Sequence, residues 1–234
     1  MSTLVTQLTP AQIIDLLSRE YGRPRPRRRL DPTAELVLTV LSQNTSDTNS
    51  GRAFARLLDA FPDWQAVMDA DVRRLEEAIR PGGLAPTKAS RIHALLAEVR
   101  HRRGSFDLSF LAGLPLEEAR AWLRSLPGVG PKTAACVLLF SLGRPALPVD
   151  THVYRVARRL GLVPPKASAE KAHELLEARL EPEEVYPFHI ALIEHGRRTC
   201  LAQRPRCPSC VLRQGCPSAP LFYPAEGGRV AGPP

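Results

Sequence analysis

The sequence predicts an all-α protein, and three observations carry that prediction. No stretch of the 234 residues sustains the period-two alternation of a half-buried strand. Apolar residues recur instead at helical intervals, as with Leu116, Ala119, Trp122 and Leu123, or Ile92, Leu95, Leu96 and Val99. The segments carrying them start at capping residues and stop at glycine or Pro-Gly breaks.

In order along the chain, Thr9-Pro10-Ala11-Gln12 supplies an N-cap, a proline at the first helical position and a capping-box Gln, opening a helix to about Tyr21. Gly22 to Arg29 cannot be helical and carries five arginines, fitting either a solvated linker or a strip facing a polyanion. Asp31-Pro32 caps a helix from Thr33 to Leu41, apolar all round and therefore buried. The polar run Ser42-Gln-Asn-Thr-Ser-Asp47 interrupts it before a further helix to Phe61 that uses Ala53, Phe54, Leu57 and Leu58. Shorter helices follow at Trp64 to Ala70 and Val72 to Arg80, the second halted by Pro81-Gly82-Gly83. Leu84 stands in a loop before a long helix, Thr87 to Arg103, closed by Gly104. Helices at Leu116 to Ser125, Lys132 to Leu142, Thr151 to Leu160, Ala169 to Leu180 and Glu183 to Arg198 complete the set, and the tail Pro224 to Pro234 reads as disordered.

Net charge is +8 and the pI near 9.7, which favours a polyanionic partner. No apolar run is long enough to span a bilayer, and Met1 to Gln7 has no basic region ahead of an apolar core. The reading is a soluble, unexported, cytoplasmic protein without a membrane partner. Five cysteines, four of them within residues 200 to 216, do not make a disulfide framework for a chain of this size. Lys88, Lys132, Lys166 and Lys171 are the only lysines among 32 cations. Where mere charge is needed the chain uses Arg, so a retained lysine points weakly to amine chemistry.

Leu126-Pro-Gly-Val-Gly-Pro-Lys-Thr-Ala134 joins two helical segments. Gly128 and Gly130 allow positive φ and leave main-chain N–H groups uncovered at the start of the second helix, where the helix dipole is positive. Leu126 and Val129 flank them as packing pegs and Lys132 follows at once. An ordinary helix-helix turn is the plainer reading; the paired glycines and the adjacent cation favour a phosphate cradle. Cys200, Cys207, Cys210 and Cys216 form C-x6-C-x2-C-x5-C and can converge on one centre, either a structural zinc or an iron-sulfur cluster. One compact loop with x6, x2 and x5 suits a [4Fe–4S] cubane better than paired zinc knuckles do. Cys136 sits on an apolar helix face as a core residue. Asp150, in Pro148-Val-Asp-Thr-His152, is an N-cap candidate that the helix dipole keeps ionised. His152 beside it reads as a packing histidine.

The LPGVGxKTA stretch resembles the helix-hairpin-helix of DNA repair glycosylases. The cysteine spacing is similar to the cluster loop of the endonuclease III family, and Lys132 with Asp150, 18 residues on, matches that family's catalytic pair. The resemblance covers roughly residues 10 to 220. It implies a two-lobed fold with a cleft: a six-helix barrel domain at residues 26–144 containing the hairpin, a discontinuous [4Fe–4S] cluster domain from 1–25 plus 145–220, and a disordered tail at 221–234. It implies a monomeric base excision repair enzyme, nucleoid-associated if bacterial, that removes oxidised or ring-saturated pyrimidines from double-stranded DNA. The abasic site is then cleaved by β-elimination through a Lys132 Schiff base, with Asp150 stabilising positive charge at the sugar. Monofunctional relatives such as the adenine glycosylases lack this lysine.

By the same resemblance, side chains at Gln43-Asn44 and Leu84 fill the space a flipped nucleotide leaves. Asn44 stands where the family usually has Gln, and its amide reaches less far. Asn44 could instead cap the following helix, and Leu84 could tuck into the core. The DNA-binding set is completed by Leu126, Gly128, Val129, Gly130, Arg204 and Arg206, with Arg213 also on the cysteine loop. Two alternatives remain at this stage: a mismatch uracil or thymine glycosylase of the same fold, or a non-catalytic DNA-binding module in which Lys132 only contacts phosphate.

Overall fold

The computed structural model describes residues 7–25 and 29–223, which contain helices and turns and no strand. The chain divides into two compact units, one of Arg28–Arg144 and the other of Met1–Arg27 with Pro145–Pro234. Helix α1 (Pro10–Tyr21) belongs to the second unit; its capping box forms as read, Gln12 N–H donating to Thr9 Oγ1 and Thr9 N–H to Gln12 Oε1. Of the arginine-rich strip, residues 26–28 lie outside the described residues.

The Arg28–Arg144 unit is built on α2 (Pro32–Leu41), in which every residue but Leu38 is buried. Asp31 caps it by accepting from the N–H groups of Thr33 and Ala34. Around it lie α3 (Asp47–Ala60), α4 (Trp64–Asp69), α5 (Val72–Ile79) with a 3-10 turn at Arg80–Gly82, and α6 (Ala85–Arg103). Val37, Leu41, Leu57, Leu75, Ile79, Ile92 and Leu96 make their common core. Helix α6 starts two residues earlier than the periodicity suggests, so Leu84 is its N-cap and not a free loop residue. Gly104 ends it in the left-handed conformation, with φ 67°.

Helix α7 (Leu116–Arg124) packs on α8 (Pro131–Cys136), and α8 in turn packs against α2. The apolar run after Lys132 is not one regular helix. Val137–Ser141 widens into a π turn, in which Leu142 N–H reaches back to Val137 O and Arg144 N–H to Leu138 O. Arg144 then closes the unit by donating from one guanidinium nitrogen to the carbonyls of Leu111, Ala112 and Leu114.

In the other unit α9 (Thr151–Arg159), α10 (Ala169–Glu177) and α11 (Val185–Arg198) follow, and α11 packs against both α1 and α9. The chain then turns through residues 200–216, and α12 (Ala219–Phe222) is the last helix among the described residues. Residues 221 and 222 are therefore helical and Tyr223 N–H donates to Ala219 O, a correction to the expected tail at 221–234; residues 224–234 lie outside the described residues.

Candidate active site

The hairpin turn is set by Pro127-Gly128. Val129 N–H donates to Leu126 O at 3.2 Å, and Gly128 takes φ 75°, the combination of Pro at the second position and a left-handed third residue typical of a type II turn. Leu126 and Val129 are buried, at 3% and 6% exposure, so they anchor the turn and leave only their main chain to meet a ligand. Gly130 departs from expectation: it is the N-cap of α8 with φ −89° and ψ 178°, a conformation open to any residue. What Gly130 provides is space, since a β-carbon there would meet nothing within 4 Å.

Lys132 sits in the first turn of α8, partly exposed, beside the unpaired N–H groups of the helix start. Among the described residues its ammonium is held in no ion pair or hydrogen bond. The same unit carries the two predicted wedge segments. Gln43 Oε1 accepts from Arg91 of α6 at 2.8 Å, and a β-carbon on Gly128 would lie 3.8 Å from Arg91 Cδ, so this one side chain runs between the hairpin and the Gln43 loop. Asn44 does not cap α3; Ser46 does, accepting from Asn49 N–H. Nor is Leu84 tucked into the core, being 57% exposed.

Asn44, Leu84 and Arg204 are the non-glycine residues at positive φ among the described residues, at 52°, 51° and 49°. Each belongs to the DNA-binding set named from the sequence. A left-handed conformation costs a side-chain-bearing residue about 1–2 kcal/mol, and such strain concentrates at sites that contact ligands. Leu84 and Arg204 carry no sequence signal for this, whereas Asn44 is of a residue type that tolerates a left-handed backbone.

Asp150 lies in the other unit. It caps α9, accepting from Val153 N–H at 2.8 Å. The chain leading to it is pinned by α10 and α11: His173 and His189 place Nδ1 2.8 Å from the carbonyls of Leu147 and Pro148, and Glu177 accepts Leu147 N–H at 2.6 Å. A carbonyl only accepts, so both rings carry their proton on Nδ1. These two histidines are not legible from the sequence, since their partners are 26 and 41 residues away.

The four loop cysteines, none of them in a disulfide, line one pocket together with Arg159, His195 and Phe222. Arg159 donates to Cys200 Sγ at 3.3 Å and to the carbonyls of Leu201 and Ala202, while its guanidinium covers the Phe222 ring. His195 lies with Nε2 3.6 Å from Cys210 Sγ and Nδ1 3.0 Å from the Tyr21 hydroxyl; burial and then Arg155 push its imidazole down to about 4, so it is neutral. Burial raises the thiols of Cys207 and Cys216 and pushes Cys210 up to about 11. Thiolates in such a place need a cationic centre among them. Among the described residues no three His, Cys, Asp or Glu side chains are grouped as a metal site. Arg204 and Arg206 are exposed on the same loop, and Cys136 is core, as expected.

Comparison with known proteins gives the family and the fold. Residues 37–182 match the family described as HhH-GPD superfamily base excision DNA repair protein. The chain is 40% identical over 191 residues to the protein At3g47830 of Arabidopsis thaliana, covering 82% of this chain and spanning 62% of the plant protein's length. To Endonuclease III of Thermotoga maritima it is 34% identical over 218 residues, 92% of this chain and 95% of that one. Two solved structures, a non-covalent Endonuclease III–DNA complex and a trapped Endonuclease III–DNA covalent intermediate, each superpose with a TM-score of 0.77 at 31% identity, covering 91% of this chain and 97% of theirs. Among the described residues no helix is long and apolar enough to cross a membrane.

Proposed function

Because the chain belongs to the HhH-GPD superfamily of base excision DNA repair proteins, we propose that it is a bifunctional DNA glycosylase and abasic-site lyase acting on double-stranded DNA. The observation that carries this reading is Lys132: a partly exposed amine, in no ion pair among the described residues, on the first turn of a helix that has no side-chain cap and opens behind a glycine hairpin. A phosphate-only lysine would serve the hairpin as well by charge, but the chain uses Arg for charge nearly everywhere else.

In the proposed reaction the hairpin amides hold a backbone phosphate and the damaged nucleotide is turned out of the stack, with Asn44 and Leu84 entering the space it leaves. The Lys132 Nζ lone pair forms a bond to C1′ while the bond from C1′ to the base breaks, its electron pair leaving with the base. Asp150, fixed as the cap of α9, offsets the positive charge that develops on the sugar. Ring opening gives the protonated Schiff base; loss of a C2′ proton then expels the 3′ phosphate and nicks the strand. The preferred substrates on this reading are oxidised or ring-saturated pyrimidines and abasic sites.

The four thiols suit a [4Fe–4S] cluster, with Cys200, Cys207, Cys210 and Cys216 as ligands. When bound it would cross-link the 200–216 loop and neutralise the buried thiolates, leaving Arg204 and Arg206 directed outward toward phosphate. The proposed place of action is the compartment that holds the chromosome.

Borohydride trapping tests the assignment. Wild-type protein is incubated with duplexes carrying an abasic site, a ring-saturated thymine, a G·T mismatch or a G·U mismatch. A covalent adduct with the first two, absent in Lys132→Ala and in Lys132→Arg although both still bind the abasic duplex, is the expected result. Absence of trapping by wild type on all four would leave a binding module, and trapping confined to the mismatches would indicate a different base choice.

A further inference from the structure

We propose that Lys88 is a positioning residue that sets both wedge side chains at once, its single buried ammonium holding the roots of the two loops that present Asn44 and Leu84. The inference rests on the wedge reading of those residues given above and adds to it the part that fixes them.

Lys88 lies in the first turn of α6 and is 1% exposed, among the largest side chains buried outright in the structure. Its Nζ donates to Leu41 O at 2.7 Å and to Gly82 O at 2.8 Å. Leu41 is the last residue of α2 and Gly82 the last of the 3-10 turn that follows α5. Both carbonyls belong to helix C-termini, where acceptors lack intrahelical donors and the backbone dipole favours a cation. The chain leaves the first terminus into Ser42-Gln43-Asn44 and the second into Gly83-Leu84, so one ammonium clamps the start of both segments.

Each segment then enters a left-handed residue within three positions of the clamp, Asn44 and Leu84. A strained conformation persists only where its surroundings over-determine it. For Leu84 the surroundings cannot be its own side chain, which is 57% exposed and packs on little. The determinant is the backbone root, and the root is held by Lys88. Gly82 is seated further by close approach: a β-carbon there would lie 3.2 Å from Ala53 Cβ and 3.8 Å from Leu41 O. One helical turn along the same face, Arg91 ties Gln43 to α6 and passes beside Gly128 of the hairpin. Helix α6 thus carries the two cations that register wedge loops and hairpin against one another, all within one compact unit. An ammonium that is buried and met, among the described residues, only by main-chain carbonyls is a poor device for stability, since burial without a counter-charge is unfavourable; it is a good device for fixing two backbones to one point.

The test compares single-turnover base removal at saturating enzyme from two DNAs, one with the lesion paired in duplex, the other with the same lesion in an unpaired bubble where no wedge is needed. Lys88→Met keeps the shape and removes the donors. The expected result is a loss of about tenfold on the paired substrate with the bubble substrate within about twofold. If Lys88→Met does not fold, Lys88→Gln, whose amide still donates two hydrogens from a shorter arm, is read in the same way, with a loss of about threefold in the paired-to-bubble ratio expected. An equal loss on both substrates, or an unchanged ratio, overturns the proposal. Asn44→Ala and Leu84→Ala, run alongside, separate it from the reading beneath it: if they lower the ratio and the Lys88 variant does not, Lys88 is structural only and the wedge stands. If they leave the ratio unchanged, the wedge assignment itself is wrong and the Lys88 proposal falls with it.

Discussion

Asp150 Oδ1 accepts a hydrogen bond from the Val153 main-chain N–H at 2.8 Å, so the carboxylate proposed for catalysis is also the cap of α9. The two roles separate by substitution, because Asn caps a helix as well as Asp but carries no charge. Asp150→Asn is expected to keep stability within about 0.5 kcal/mol, and Asp150→Ala to lose about 1 kcal/mol, by urea denaturation. Both are expected to slow base removal on the order of 10²-fold or more in single-turnover kinetics. Full activity in Asp150→Asn would reduce the residue to a cap.

The capping role of Asp150 was legible beforehand, since an acidic residue ahead of an amphipathic segment states its cap locally. The same holds for Thr9, Asp31 and Gly104, and for the buried α2. What stayed hidden depends on partners far along the chain. Lys88 reads as an ordinary surface cation on a helix until Leu41, 47 residues earlier, is brought to it. His173 and His189 are silent for the same reason. The Gly128-Val129-Gly130 string misled in part: alternating glycines suggest two left-handed residues, whereas the turn uses one and the helix start needs only room. The π turn after Cys136 has no sequence signature, because every residue in it is as compatible with an α-helix.

Gly128 and Gly130 should consequently respond differently to alanine. At Gly128, φ 75° makes a β-carbon unfavourable by about 1–2 kcal/mol, so Gly128→Ala is expected to destabilise the unit and weaken DNA binding together. At Gly130 alanine fits the backbone and the free protein. Gly130→Ala should leave the melting temperature within a few degrees and still reduce affinity for abasic duplex, because its methyl group stands where a phosphate would approach the amides. Equal melting temperatures for the two variants would contradict this division.

Lys88 also predicts a pH dependence of stability. Burial lowers its ammonium below the ordinary 10.5. Between the folded and unfolded values the unfolded chain binds a proton that the folded chain has shed, so the unfolding free energy rises with pH across that window. Relative to Lys88→Met, the wild type is expected to gain stability as pH climbs toward 10.5, hold it above, and lose it as pH falls through the folded value. Urea denaturation of both proteins from pH 7 upward measures the difference, and parallel curves would mean that the amine titrates normally.

Leu84 tests whether backbone strain is stored for function. Its side chain is 57% exposed, so truncation removes little buried area, while φ 51° is a conformation that glycine adopts freely and a γ-branched residue does not. Most substitutions of leucine in a folded protein destabilise it; this one is expected to run the other way. Leu84→Gly should match or exceed wild-type stability, by up to about 1 kcal/mol once the extra freedom of glycine in the unfolded chain is set against the released strain. If Leu84 enters the base stack, the same variant should remove a paired lesion about tenfold more slowly. A variant that is both more stable and less active is the signature of a residue kept for its contact with DNA. One that is destabilised by 2 kcal/mol or more would mean instead that Leu84 packs against its own protein.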